Sequence, residues 1–96
     1  MMAFVVIPEF QIRPGCMDAF LAAAADDARH SVANEPGCQQ FDVVRSEDIV
    51  VFYEVYDNRA AFEAHLETPH LSRFRDAFPP LIVEEKAVRF AERRHP

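Results

Sequence analysis

Scarcity of glycine, cysteine and basic residues excludes whole classes of function for this 96-residue chain before any motif is considered. Glycine occurs twice, as Gly15 and Gly37. A loop that cradles phosphate needs several glycines close together, so neither a P-loop nor a dinucleotide-binding fingerprint can be built. Cysteine also occurs twice, as Cys16 and Cys38, too few to staple a fold and without metal-ligand spacing, so both read as free thiols. Ten lysines and arginines face sixteen aspartates and glutamates, a formal charge of −6. The one basic doublet is Arg93-Arg94, so a phosphate backbone is repelled and no nucleic-acid partner is expected. No run approaches the roughly 20 apolar residues of a membrane-spanning helix. Nor does the N-terminus show a charged stretch followed by an apolar one, so no membrane and a cytoplasmic location are expected.

What the chain does have is a core. Half its residues are hydrophobic and nine are phenylalanine, enough for one domain spanning residues 1–96, with a loose tail from about residue 92. A domain of this size buries only roughly 60–70% of its surface, which makes oligomerisation a reasonable expectation.

Ala3 to Ile12 is apolar on both alternating sets and predicts a strand covered on two faces, with Pro8 as a bulge or a locally unpaired position. Pro14-Gly15 turns the chain. From Cys16 to about Asn34, Met17, Phe20, Leu21, Ala24, Ala28 and Val32 recur at helical spacing, with Asp26 and Arg29 opposite. Glu35-Pro36-Gly37 stops that helix. Cys38–Arg45 and Ile49–Tyr56 predict two strands of an antiparallel hairpin closed at Ser46-Glu47-Asp48. Asp57 or Asn58 caps a helix running to about Glu67. Pro69 separates it from another, His70 to about Phe78, and Pro79-Pro80 leads to a last strand, Ile82 to Ala91. The order βαββααβ is that of a ferredoxin-like α+β sandwich with helices on one sheet face. The first and third strands are apolar on both faces, so the uncovered face calls for a second copy of the chain: a homodimer.

Candidate chemistry concentrates between Phe52 and His70. Val50, Phe52, Glu54 and Tyr56 share one face of the third strand; Val51, Tyr53 and Val55 share the other. Glu54 is thus a carboxyl among large apolar neighbours, where burial raises its pKa unless a cation or donor meets it. Ala61, Phe62, His65 and Leu66 form the inward stripe of the next helix. A Glu54–His65 hydrogen bond would make the imidazole a better-oriented base; equally, the two merely satisfy each other in the core, or Arg45 or Arg89 pairs with Glu54. His70 is either a donor to a substrate oxygen or a cap or surface residue. His65 and His70 are five apart across a proline, not the spacing of a helical metal site, so no metal is expected. His30 projects away from the apolar stripe and reads as solvated. Tyr53 and Tyr56 are possible phenolic donors, with at least one of them expected as a strand aromatic packing at an interface; Phe41, Phe52, Phe62, Phe74 and Phe78 are core residues that, with Tyr56, also suit a pocket for a flat aromatic ligand.

Three segments resemble the antibiotic biosynthesis monooxygenase (ABM) domain family, its small quinol monooxygenase-like members in particular. They are Glu35-Pro36-Gly37-Cys38-Gln39-Gln40-Phe41-Asp42-Val43 at a helix-to-strand junction, Phe52-Tyr53-Glu54-Val55-Tyr56 on the third strand, and Ala61-Phe62-Glu63-Ala64-His65-Leu66-Glu67-Thr68-Pro69-His70 with its HLxTPH pattern. The resemblance implies a dimeric α+β barrel. It also implies oxygenation of a small electron-rich phenol or quinol by dioxygen without a cofactor: His65 as base, Glu54 as its orienting partner, and Tyr53 or His70 as donor to the substrate oxygen. The chain departs from the family in lacking tryptophan, which the haem-degrading branch uses in an Asn–Trp–His set. It also reads Ala28-Arg29-His30-Ser31 where relatives carry Ala-Arg-Asn-Ser, and its hairpin at Ser46-Glu47-Asp48 is short. The family fold also hosts an isomerase acting on a phosphorylated autoinducer-2 compound, so isomerisation of a small phosphorylated carbonyl compound is the alternative. Against it, such a substrate wants clustered cations, and Arg29, Arg45, Arg73 and Arg75 are scattered. A dimeric module that binds an apolar ligand without turnover is the non-enzymatic alternative.

Overall fold

The computed structural model describes residues 2–95 and shows an antiparallel sheet with its helices on one face. In chain order the elements are β1 (Phe4–Ile7), β2 (Glu9–Ile12), α1 (Met17–Asn34), β3 (Cys38–Ser46), β4 (Ile49–Tyr56), α2 (Arg59–His65), α3 (Pro69–Ala77), β5 (Ile82–Glu85) and β6 (Arg89–Glu92), with a 3-10 turn at Pro79–Leu81. β4 lies between β3 and the β1/β2 pair, and β5 and β6 flank β2 and β1 on the far side. Taking β1/β2 and β5/β6 each as one interrupted strand gives the expected ferredoxin-like order.

The interruption comes from Pro8, which has no N–H to give to a ladder. Against β4 it is a locally unpaired position rather than a bulge: Val6 pairs Glu54 and Glu9 pairs Val51, so the register passes through unbroken. The Pro8 carbonyl still accepts from the Phe52 N–H at 2.9 Å. On the other side, Ile7 pairs Arg89 while Phe10 pairs Glu85, which leaves one surplus residue within 86–88. The last strand, expected as one, is therefore two. The tail is tied further than expected, because the Arg93 N–H donates to the Ala3 carbonyl at 3.0 Å; Pro96 lies outside the described residues.

Val6, Phe10, Ile12, Phe41, Val50, Phe52 and Tyr56 form the buried helix-side face of the sheet. Phe10 packs against Phe20 at 5.1 Å and Phe52 at 5.2 Å between ring centres, and Phe74 and Phe78 from α3 close the cluster. α1 buries Phe20, Ala24, Asp27 and Ser31, which is helical spacing, but its lower half is polar. Val32, expected in that stripe, is 50% exposed. The stripe turns polar where the helix leaves the apolar cluster and faces ionisable side chains. On the opposite sheet face Val5 and Val55 are buried, Ile7 and Val51 half-buried, and Val44 (54%) and Tyr53 (36%) exposed. Among the described residues no helix is long and apolar enough to cross a membrane.

Candidate active site

Local rules at three chain reversals place the ionisable groups. Glu35 caps α1 with extended backbone (φ −103°, ψ 110°), as a residue before proline prefers. Asn58 starts α2 by accepting from the Ala61 N–H at 2.9 Å, which decides between the two expected caps and sets the phase that buries His65. Thr68 couples the next two elements: its hydroxyl donates to the His65 carbonyl at 2.8 Å and accepts from the Leu71 N–H at 3.3 Å. With Pro69 at the first position of α3, His70 is directed inward and buried.

These three reversals converge. His65 Nδ1 lies 2.8 Å from Glu35 Oε2, and His70 Nε2 lies 2.5 Å from the same oxygen. A carboxylate oxygen accepts, so each ring presents an N–H to it and turns its second nitrogen away. His65 Nε2 points toward Glu54, 3.9 Å from Oε1, beyond hydrogen-bond range. Glu54 Oε1 instead accepts from the Tyr56 hydroxyl at 2.6 Å. Asp27, buried on α1, accepts from Ser31 Oγ at 3.3 Å. Glu35 Oε1 is buried without a partner.

Burial dominates the electrostatics. It raises the Glu54 carboxyl from 4.5 to about 8, against the lowering effect of the Tyr56 bond, with Asp27 and Glu35 adding to the rise. It raises Asp27 from 3.8 to about 6, with His65 and His70 pulling the other way. The Tyr56 phenol is pushed far up by burial and by Glu54, so it donates and does not ionise. Glu54 is therefore largely protonated near neutrality.

A cavity of about 300 Å³ opens beside His65, with Glu54 and Asp27 in its wall. Its lining is otherwise mostly apolar, including Val6, Phe10, Phe52, Phe62, Leu71 and Phe74; Arg75 is the one cation in it, with Glu85 also lining. Expected site residues His65, Glu54, Phe52, Phe62 and Phe74 thus meet at one cavity. His70 stands behind it through Glu35, Tyr56 behind Glu54, and Phe41 packs 5.3 Å from Phe52 and 6.1 Å from His65. Tyr53 does not join them, because strand alternation puts it on the other sheet face. His30 is half-exposed and stacks on His70 at 6.0 Å. Arg45 and Arg89 bond Glu47 and Glu9 rather than Glu54. His65, His70 and Asp27 each offer a metal-ligand atom within 4.8 Å of the others, a convergence that the spacing of the two histidines alone did not reveal.

The family's sequence profile, described as antibiotic biosynthesis monooxygenase, matches residues 3–77. The chain belongs to the antibiotic biosynthesis monooxygenase family. An ABM relative in Mycobacterium tuberculosis, named "Putative monooxygenase Rv0793", is 32% identical over 85 residues, covering 86% of this chain and 83% of its own length. An uncharacterised protein of Synechocystis is 27% identical over 88 residues, covering 88% of this chain; the chain spans 59% of that relative's length. Among solved structures, one titled "Putative antibiotic biosynthesis monooxygenase from Nitrosomonas europaea" superposes with a TM-score of 0.91 at 28% identity, over 98% of this chain and 92% of the other. The ABM fold and the monooxygenase-like character of the domain are thereby established.

Proposed function

We propose that the chain is a cofactor-independent monooxygenase that oxidises a small electron-rich phenol or quinol with dioxygen. The observation that carries this reading is the orientation of His65: its Nδ1 is anchored on the buried Glu35 carboxyl, and Nε2 is left facing an apolar cavity. That is the state of a general base. It differs from the expected mechanism in two respects: Glu35 takes the orienting role in place of Glu54, and Glu54 becomes the proton donor in place of Tyr53 or His70.

The electrons come from the substrate. His65 Nε2 takes the phenolic proton, and the phenolate transfers electrons to dioxygen, forming a carbon–oxygen bond at an ortho or para ring carbon. His65 returns its proton to the distal oxygen, giving a hydroperoxide. The hydrogen on that carbon then leaves as a proton to His65 while the oxygen–oxygen bond breaks. The departing hydroxide takes the Glu54 proton and leaves as water. One oxygen atom stays in the quinone, the other becomes water, and proton return from His65 to Glu54 resets the site. Apolar walls keep bulk water from the intermediate. A phosphorylated substrate is less well served, since Arg75 is the lone cation in the cavity lining.

The same reading makes the protein a homodimer through the sheet face that carries Val44, Val51 and Tyr53. Cys16 and Cys38 are free thiols, which suits the reducing cytoplasm. Turnover of a hydroquinone panel under ¹⁸O-labelled dioxygen tests the chemistry: one labelled atom per quinone is expected, and unlabelled product would overturn it.

A further inference from the structure

We propose that Asp27, His65 and His70 form a binding site for a divalent d-block cation such as zinc, which blocks the base when occupied. Each contributes one donor atom, the three atoms lie within 4.8 Å of one another, and all three residues are buried. They come from α1 and from the α2–α3 junction, the latter fixed by the Asn58 cap and Thr68. Two imidazoles and a carboxylate are a ligand set for zinc, cobalt, nickel or iron rather than for magnesium or calcium, which prefer all-oxygen sites.

The surroundings match a built site. Glu35 touches both rings, at 2.8 Å from His65 and 2.5 Å from His70. A carboxylate that accepts a ring N–H fixes the tautomer and raises the basicity of the other nitrogen, which is how ligating histidines are commonly held. Glu35 Oε1 is buried with no partner among the described residues, so the cluster carries spare acceptor capacity. The Asp27 and Glu35 carboxyls stand beside the two imidazoles and supply the oxygen ligand and the acceptor that a dication held by histidines attracts. Ligand atoms of a tetrahedral zinc site lie about 3.4 Å apart, so closure from the observed spacing takes side-chain shifts of about an ångström.

Occupation removes His65 from proton transfer, so the inhibitory part of this proposal rests on the oxygenase reading while binding does not. The test is titration of the metal-stripped protein with cobalt(II), read by its visible absorption, and with zinc by calorimetry. One cobalt per chain with tetrahedral bands is expected. Asp27→Asn and His70→Gln should each weaken affinity by at least 10-fold, while Cys16→Ser should leave it unchanged. A thermal melt of each variant separates loss of ligand from loss of fold, and zinc should raise the wild-type midpoint but not that of Asp27→Asn. Absence of tetrahedral bands, or affinity unchanged in both folded ligand variants, would overturn the site. Oxygen uptake that persists with zinc bound would overturn its inhibitory role, whereas a protein that binds cobalt but oxidises no phenol would count against the oxygenase alone.

Discussion

At the scale of single residues, the site is organised by a side chain whose role the sequence conceals. Glu35 reads as part of a helix stop, Glu35-Pro36-Gly37, and it is that; but the same extended backbone swings its carboxyl between two histidines 30 and 35 positions away. Only a three-dimensional path brings such groups together. Asp27 is hidden for a different reason: an acid in a helix is assigned to the wet face, although it lies three residues from Ala24 and seven from Phe20 on the buried stripe. Glu54 was legible, because strand alternation put it among phenylalanines. Its pairing with His65, one of several readings left open, becomes a 3.9 Å approach rather than a hydrogen bond, because Glu35 at the end of α1 takes the imidazole's Nδ1 and Tyr56 takes the Glu54 carboxyl. For Glu54 the consequence is a pH signature. Its folded-state pKa is raised from 4.5 to about 8, so the stability it contributes is complete below pH 4.5 and is lost as pH rises to about 8. Thermal melts should therefore show Glu54→Gln gaining on the wild type as pH is raised from 5 to 8. A constant gap across that range would contradict the burial argument.

At the scale of elements, the helices and the β3–β4 hairpin follow their sequence signals closely, because caps, prolines and periodicity agree there. The first and last strands are less regular than hydropathy suggests: Pro8 has no N–H for the β4 ladder, and on the other side one surplus residue within 86–88 divides β5 from β6. The packing of α2 on the start of β3 has a sharper requirement. A Cβ at Gly37 would sit 2.5 Å from Ala61 Cβ, on the helix that carries His65. Gly37→Ala should cost about 1–3 kcal/mol in denaturant unfolding. Adding Ala61→Gly should recover part of that loss despite the helix penalty of glycine; strictly additive losses would show that the contact is not the cause. The Asn58 cap is worth about 1 kcal/mol, and Asn58→Ala should lower catalytic rate as well as stability, because the cap sets the phase of His65.

At the scale of the whole molecule, the ferredoxin-like order was readable from βαββααβ alone, and the two-sided apolar character of the central strands motivated the second copy. The structure gives that argument a location: Val44 and Tyr53 stand exposed on the face away from the helices. Tyr53 was open to two readings, substrate donor or strand aromatic at an interface; alternation places it away from the cavity, and its exposed ring is part of the face proposed to pair. Val44→Lys should turn a dimer into a monomer by sedimentation while leaving the fold intact by circular dichroism. An unchanged mass would move the interface elsewhere.

The central claim is that His65, oriented by Glu35 beside an apolar cavity, is the base of an oxygenation driven by the substrate's own electrons. Oxygen consumption by chelator-treated protein, offered hydroquinones and simple polyphenols alongside a folded His65→Ala variant, tests it most directly. The account predicts uptake in the wild type and a loss of at least about 100-fold in the variant. Equal uptake by both proteins, or none by the wild type with any phenol, would contradict it.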